Sequence, residues 1–164
     1  MNDTSEIISQ QSLASYHISK LCFAGIELLI PQSDVFSIES VYELITADNH
    51  QGCVGYIQQQ ADMIPVYCMA AELEFLDEAP ENRTQCVVLH HMGKAYSILC
   101  EEIKNIQLSD INFEAVPACI LHPGMPLSHL AIYSESEQGQ KLGLVSNADL
   151  LGQYMFLHND RMSS

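Results

Sequence analysis

Seven histidines and six cysteines in 164 residues are the side chains with the chemistry to hold a metal or make a bond. The best spacing among them is Cys119-x-x-His122 followed by His129. A structural zinc site wants a fourth ligand and closer pairs. His90 and His91 are neighbours in an expected strand, where side chains alternate faces and cannot readily share one ion. Acidic neighbours such as Glu101-Glu102 and Asp77-Glu78 could move protons, but adjacent carboxylates on a strand or loop read as solvated groups. No Gly-x-Ser-x-Gly elbow, phosphate-binding glycine loop or dinucleotide fingerprint occurs, and no nucleophile stands beside a base. The alternative kept open is a small metal- or ligand-binding enzyme using the Cys/His set. The expectation taken forward is a protein without catalysis, cofactor or metal.

Composition narrows the partners. The net charge is −15 and the sequence pI about 4.5, with no Lys or Arg cluster to displace counterions from phosphates, so nucleic acid is not an expected partner. Anionic membrane surfaces are disfavoured for the same reason. No basic start leads into an apolar core, and no apolar run approaches the roughly 18 residues of a membrane span; a cytoplasmic protein without direct membrane insertion is expected. Cysteines 22, 53, 68, 86, 100 and 119 sit mostly inside apolar runs with no Cys-x-x-Cys pair, the pattern of small core residues in a reducing compartment. The acidity itself reads as solubility first, and as a face for a basic partner second.

The elements that must position any site read as short strands. His17–Phe23 and Ile26–Ile30 form a hairpin turning at Ala24-Gly25. Cys53–Ile57 and Met63–Cys68 flank the polar patch Gln58-Gln59-Gln60-Ala61-Asp62 as a second hairpin. Pro65 cannot donate to a ladder, so an edge strand or a bulge is expected there. Gly55, lacking Cβ, implies a close approach by another chain segment. Tyr42–Asp48 is open between a helical turn and an extended loop. Ala70–Leu76 reads as a short helix with Leu73 and Leu76 inward. The acidic, proline-containing stretch 77–83 is the candidate boundary between subdomains. Gln85–Leu89 is a strand covered on both faces, Gly93-Lys94 a turn, and Ala95–Cys100, Glu101–Ile106, Leu127–Tyr133 and Lys141–Ser146 further strands. A helix begins at Asn147, capped by Ser146 or Asn147, with Gly152 as a weak point. Residues 1–16 are a polar tail, or carry a short helix over Ile7, Ile8 and Leu13 behind the capping pair Asp3 and Glu6. Met63, Met69 and Met92 could make an adaptable binding surface, with core filling the expected use.

A strand ending near Gly55, a turn over Gln58-Gln59-Gln60-Ala61, then Ile64-Pro65-Val66 and Ala70-Ala-Glu-Leu73 resembles the CheW-like domain of bacterial chemosensory systems. The second half is similar too, with a turn glycine at Gly93 and Glu101 followed by Ile103. The final strand and its helix also fit, although Ser97 stands where the family often has glycine and Asn147 replaces an acidic residue. Leu28-Leu-Ile-Pro31 is similar to members linked to type IV pilus pathways. Periodicity alone supports an all-β domain of many short strands. The resemblance implies two packed five-stranded SH3-like β-barrels with short connecting helices and a C-terminal helix. The expected division is residues 1–16 tail, 17–80 first barrel, 81–155 second barrel with its last strand able to return to the first, and 156–164 tail.

The resemblance further implies an adaptor coupling the cytoplasmic tip of a chemoreceptor to the regulatory domain of a CheA-type histidine kinase. Carried over by position, Gly55, Gln58, Gln60 and Pro65 frame the receptor-side turn. Val35, Phe36 and Ile38 lie near a loop used for contacts, and Gly93 belongs to the second hairpin. Family members commonly place arginine where Gln60 stands. A neutral glutamine gives up a charge-assisted contact, so receptor engagement is expected to be weakened or altered.

Overall fold

The computed structural model describes residues 15–46, 52–120, 124–135 and 139–163; the N-terminal helix considered over Ile7, Ile8 and Leu13 lies outside them. Eleven strands and one helix follow in order: β1 (Tyr16–Phe23), β2 (Ile26–Pro31), a 3-10 turn (Gln32–Asp34), β3 (Ser37–Ser40), β4 (Gly55–Gln59), β5 (Asp62–Tyr67), β6 (Gln85–His91), β7 (Lys94–Cys100), β8 (Glu102–Leu108), β9 (Ile111–Glu114), β10 (His129–Ser134), β11 (Gln140–Val145) and α1 (Ala148–Ser163). The β1–β2 hairpin turns through Ala24 (φ 51°) and Gly25 (φ 78°), and β6–β7 through Met92 (φ 51°) and Gly93 (φ 77°). Left-handed residues at both turn positions match the right-handed twist of the flanking strands.

The strands make two sheets, β8-β1-β2-β11-β10-β9 and β3-β6-β7-β5-β4. Sheet membership does not follow a cut at residue 80: β1 and β2 join the last four strands, while β6 and β7 join β3 to β5. The pairing of β1 with β8 runs from Tyr16 opposite Leu108 to Cys22 opposite Glu102. Each sheet contains one parallel pair, β2 with β11 and β5 with β7. The edge strands β3 and β4 are tied together by Gln59, whose Nε2 donates to Ser37 Oγ (3.0 Å) and Glu39 Oε1 (2.9 Å). That contact curls the five-stranded sheet toward closure and blunts its edges.

Strand alternation explains how the sheets share a core. Leu28 and Ile30 of β2 and Val87 and Leu89 of β6 enter one cluster with Tyr96, Ile98, Leu151 and Met155. Their neighbours in the alternation point the other way: Leu29, between Leu28 and Ile30, joins Ile18, Leu108, Ala131 and Tyr133, and Cys86, just before Val87, joins Val41, Val66, Cys68 and Leu99. The unbroken apolar runs of β2 and β6 thus serve two interiors at once. Inside the six-stranded sheet Lys20 is 3% exposed, held by Glu135 (2.5 Å) and Glu27 (3.6 Å). Burial pulls its pKa down, but the Glu135 hydrogen bond and the Glu27 charge outweigh that and raise it.

Several expectations are corrected. Residues 70–76 form a tight turn rather than a helix: Leu73 takes φ 64°, its N–H donates to Ala70 O, and Ala70 N–H donates to Glu74 O. Leu73 is buried, but Leu76 is only half-buried. A bridge between Met69 and Phe75 and the Tyr154 hydroxyl donating to Leu73 O hold this turn in place. Pro65 is not on an edge, since β5 lies between β4 and β7. It is tolerated because the β7 ladder starts one residue later, at Val66, and Ser97 Oγ donates to the Pro65 carbonyl (3.1 Å). As far as residue 46 the 42–48 segment is extended, with Ile45 bridged to Tyr56. Strand β9 had no counterpart among the expected elements. Instead of short connecting helices, the described residues hold one 3-10 turn.

Helix α1 continues to Ser163, through the region expected to be a tail. Asn147 is its cap, Oδ1 accepting from Leu150 N–H (2.8 Å), and Asp34 Oδ2 accepts from Ala148 N–H (2.9 Å). Both satisfy N–H groups that the first helical turn leaves without partners. Gly152 is where the helix meets β6, since a Cβ there would lie 2.3 Å from His91 Cβ.

Candidate protein-interaction surface

The eight residues singled out for partner contact fall into three places on the five-stranded sheet and its loops. Phe36 and Ile38 are exposed at 61% and 40% on and just before edge strand β3. Val35 instead turns inward and packs on the shared core. Phe36 meets His90 edge-on, ring centroids 4.6 Å apart. Pro65 and Gly93 line a groove of about 770 Å³ whose walls include His90, Met63, Met92 and Phe156. Through His90, the β3 patch and this groove are continuous.

Gln58 and Gln60 lie apart from that groove, exposed on β4 and its turn. The turn is tighter than the polar patch implied, with Gln60 at φ 56° and Ala61 its only loop residues. Gln58 Nε2 reaches the Gln60 carbonyl at 3.4 Å, so it braces the turn it stands beside. Gln58 also shares a shallow recess of about 200 Å³ with Ile57, Tyr42 and Ile45. Gly55 is buried beneath that loop: an added Cβ would sit 2.9 Å from Leu44 Cβ and 3.1 Å from the Ile45 carbonyl. The close approach inferred from its missing Cβ is present.

The sequence left out part of the groove. Phe156, Asn159 and Asp160 of α1 line it, in the stretch read as a tail. The available signal was the apolar spacing Leu151, Met155 and Phe156 running past Gly152. Of Met63, Met69 and Met92, the first and last are surface residues, at 47% and 87% exposure, whereas Met69 fills the core. Thioethers on a rim re-pack readily against differing partners.

His90 and His91 face different surroundings: His90 contacts Phe36, and His91 Nδ1 lies 3.0 Å from Asp149 Oδ1. Among the described residues no three His, Cys, Asp or Glu side chains are grouped to hold a metal ion; His122 is outside them. Burial pushes the Cys68 thiol up to about 11 and Cys86 up to about 12, and lifts Cys100 well above its ordinary value. Such thiols stay protonated and are poor nucleophiles. Among the described residues no helix is long and apolar enough to cross a membrane.

No protein-family model matches the sequence, and no curated protein matches it. Among solved structures, the scaffolding protein TtCheW from Thermoanaerobacter tengcongensis superposes with a TM-score of 0.59 at 13% identity. The match covers 83% of this chain and 91% of that one. At that identity the likeness speaks for architecture: this chain carries the two-sheet β fold of a CheW scaffolding protein.

Proposed function

We propose that this protein is a non-enzymatic adaptor of the CheW kind, coupling chemoreceptors to a CheA-type histidine kinase with altered receptor contact. The observation that carries the reading is the CheW fold over most of the chain. The surface supports it: Phe36, Ile38, Met63 and Met92 are exposed apolar side chains set among polar neighbours, a composition suited to reversible protein contact. The β3 patch with Phe36 and Ile38 is assigned to the kinase's regulatory domain. The turn that carries Gln58 and Gln60 is assigned to the receptor tip; Gly55 supports it from beneath, and Pro65 lies with the groove instead.

The test is capture of the full chain with the CheA-type kinase of its own cytoplasm. The kinase should be retained, and Phe36→Ala should weaken retention on the order of tenfold or more, as loss of an aromatic anchor does. Failure to retain any such kinase would overturn the proposal. Gln60→Arg should raise retention in receptor arrays, since it restores a charge-assisted donor at the turn; unchanged retention would remove the receptor assignment while leaving the kinase one standing. The similarity of Leu28-Leu-Ile-Pro31 to pilus-linked members favours a role in surface motility. Deleting the gene should alter surface motility more than swimming bias, and no change in either would reject that placement.

A further inference from the structure

Tyr42 follows edge strand β3 and is 93% exposed, the barest large apolar side chain among the described residues. Its backbone is held from both ends: Val41 N–H donates to Thr84 O (2.7 Å) and Ile45 N–H to Tyr56 O (2.8 Å). Tyr42 thus stands on a pinned, extended segment. Together with Val41 and Glu43 it belongs to the walls of two recesses. On one side Ile45 and Ile57 line a space of about 200 Å³. On the other, Leu44, Ala79, Pro80 and Leu99 line one of about 270 Å³. Single apolar side chains are ordinary on a surface, but these are contiguous across a ridge. The charges around them have one sign. Glu43 and Glu81 are exposed and Glu39 is half-buried, and among the described residues none of the three joins an ion pair. The connection that carries Ala79 and Pro80 adds exposed Asp77 and Glu78. Arg83, the basic residue of these linings, is buried with its guanidinium over the Phe23 ring.

We infer that this ridge and its two recesses dock a basic, extended segment of a partner protein, with an apolar side chain on either side of Tyr42. Charge complementarity selects the occupant: an apolar centre ringed by unpaired carboxylates favours a segment whose apolar residues are flanked by Lys or Arg. An extended segment carries alternate side chains on one face, so residues i and i+2 fill the two recesses. A flanking Arg gains twice, by stacking on the open Tyr42 ring and by a charge-assisted bond to Glu43. The pinned backbone lowers the ordering cost of binding, and tyrosine is among the residues that anchor interfaces. The inference does not rest on the kinase or receptor assignments above.

The chain has no tryptophan, so a tryptophan in the ligand reports binding without background. The test titrates the full chain into the peptide acetyl-Lys-Arg-Trp-Ser-Leu-Arg-Lys-amide and follows its fluorescence. The signal should saturate, and the affinity should fall severalfold between about 20 and 200 mM salt. Replacing the peptide's leucine by serine should weaken binding about tenfold or more. The acidic peptide acetyl-Glu-Glu-Trp-Ser-Leu-Glu-Glu-amide should not bind. Tyr42→Ser, at a site exposed enough to spare the fold, keeps the net charge and should also weaken binding about tenfold or more. Glu43→Gln with Glu81→Gln should weaken it severalfold and flatten the salt dependence. Asp110→Asn with Glu114→Gln, which removes the same charge from the edge of the other sheet, should leave it unchanged, as should Phe36→Ala. Unaltered binding in Tyr42→Ser would overturn the proposal, as would equal losses from the two charge pairs, since attraction would then be to the whole acidic chain. A Tyr42→Ser variant that loses kinase capture, in a chain that binds no basic peptide, would give Tyr42 to the kinase contact and equally overturn it.

Discussion

Met92 stands 87% exposed at the β6–β7 turn with φ 51°, a left-handed conformation that costs an ordinary L-residue about 1–2 kcal/mol. Asn-Gly is the preferred pair for such a turn, so Met92→Asn should stabilise the fold by about 0.5–1 kcal/mol in urea unfolding. Ala24 holds the same conformation before Gly25, and Ala24→Asn should give a similar gain. The two differ in surroundings, because Met92 lines the groove and Ala24 does not. If the groove meets a partner, Met92→Asn should weaken partner capture while Ala24→Asn leaves it unchanged; equal effects would mean that the Met92 thioether takes no part. Cys119 is the exposed thiol of the six, and Cys22 is half-buried. A bulky maleimide should therefore label native protein first at Cys119, with Cys119→Ser removing the fast phase.

Helix α1 is the element on which the groove and the shared core both depend. Gly152→Ala would bring a Cβ to 2.3 Å from His91 Cβ and 3.1 Å from the Tyr96 ring. Although alanine is the better helix former by about 1 kcal/mol, the clash should dominate and destabilise by roughly 1–3 kcal/mol or more, read as a lower urea midpoint. Near its C-terminus His158 stacks on Phe75 with ring centroids 3.9 Å apart and planes 9° apart. Burial, and then the Arg161 charge, hold the His158 pKa below 6.5. The folded state thus takes up the proton less readily than the unfolded chain. This contribution to stability is present above about pH 6.5 and is lost as pH falls through the folded value. Urea midpoints should fall on acidification through that window, and His158→Phe, which keeps the stacked ring and removes the titration, should flatten that component.

At the scale of the molecule, the same linkage runs the other way at alkaline pH. Burial raises the thiols of Cys68 to about 11 and Cys86 to about 12, and raises the hydroxyls of Tyr67 and Tyr96. Native thiols keep their protons while the unfolded chain loses them from about 9 upward, so the native state binds more protons there. Stability is fully present below about pH 9 and declines as pH rises toward the folded values. Thermal midpoints should hold level up to about pH 8.5 and drop above it. They should also rise with added salt near neutrality, because a net charge of −15 repels itself in the compact state.

The residue pattern by itself determined the strands whose chemistry is local. The β1–β2 hairpin follows from apolar runs around Ala24-Gly25 and the start of α1 from Asn147; the β6–β7 hairpin was also legible, though its turn is Met92-Gly93, one residue before the expected Gly93-Lys94, because Lys94 already belongs to β7. The two-sheet architecture was legible through resemblance to CheW-like domains. Tertiary structure alone decided which strands are neighbours: Ser19 bonds Asn105 across 86 residues of chain, and alternation reports which face is apolar without naming what covers it. It also turned Ala70–Leu76 from an expected helix into a tight turn, because the Tyr154 hydroxyl and the Met69–Phe75 bridge outweigh local propensity. Gly152 looked like a flaw in a helix until β6 was seen pressed against it. Arg83 shows the limit most sharply. In sequence it closes a polar linker, where a charge is normally solvated; only the tertiary packing, with the Phe23 ring 5.1 Å away and 6% of the residue exposed, reveals that this cation lies away from water.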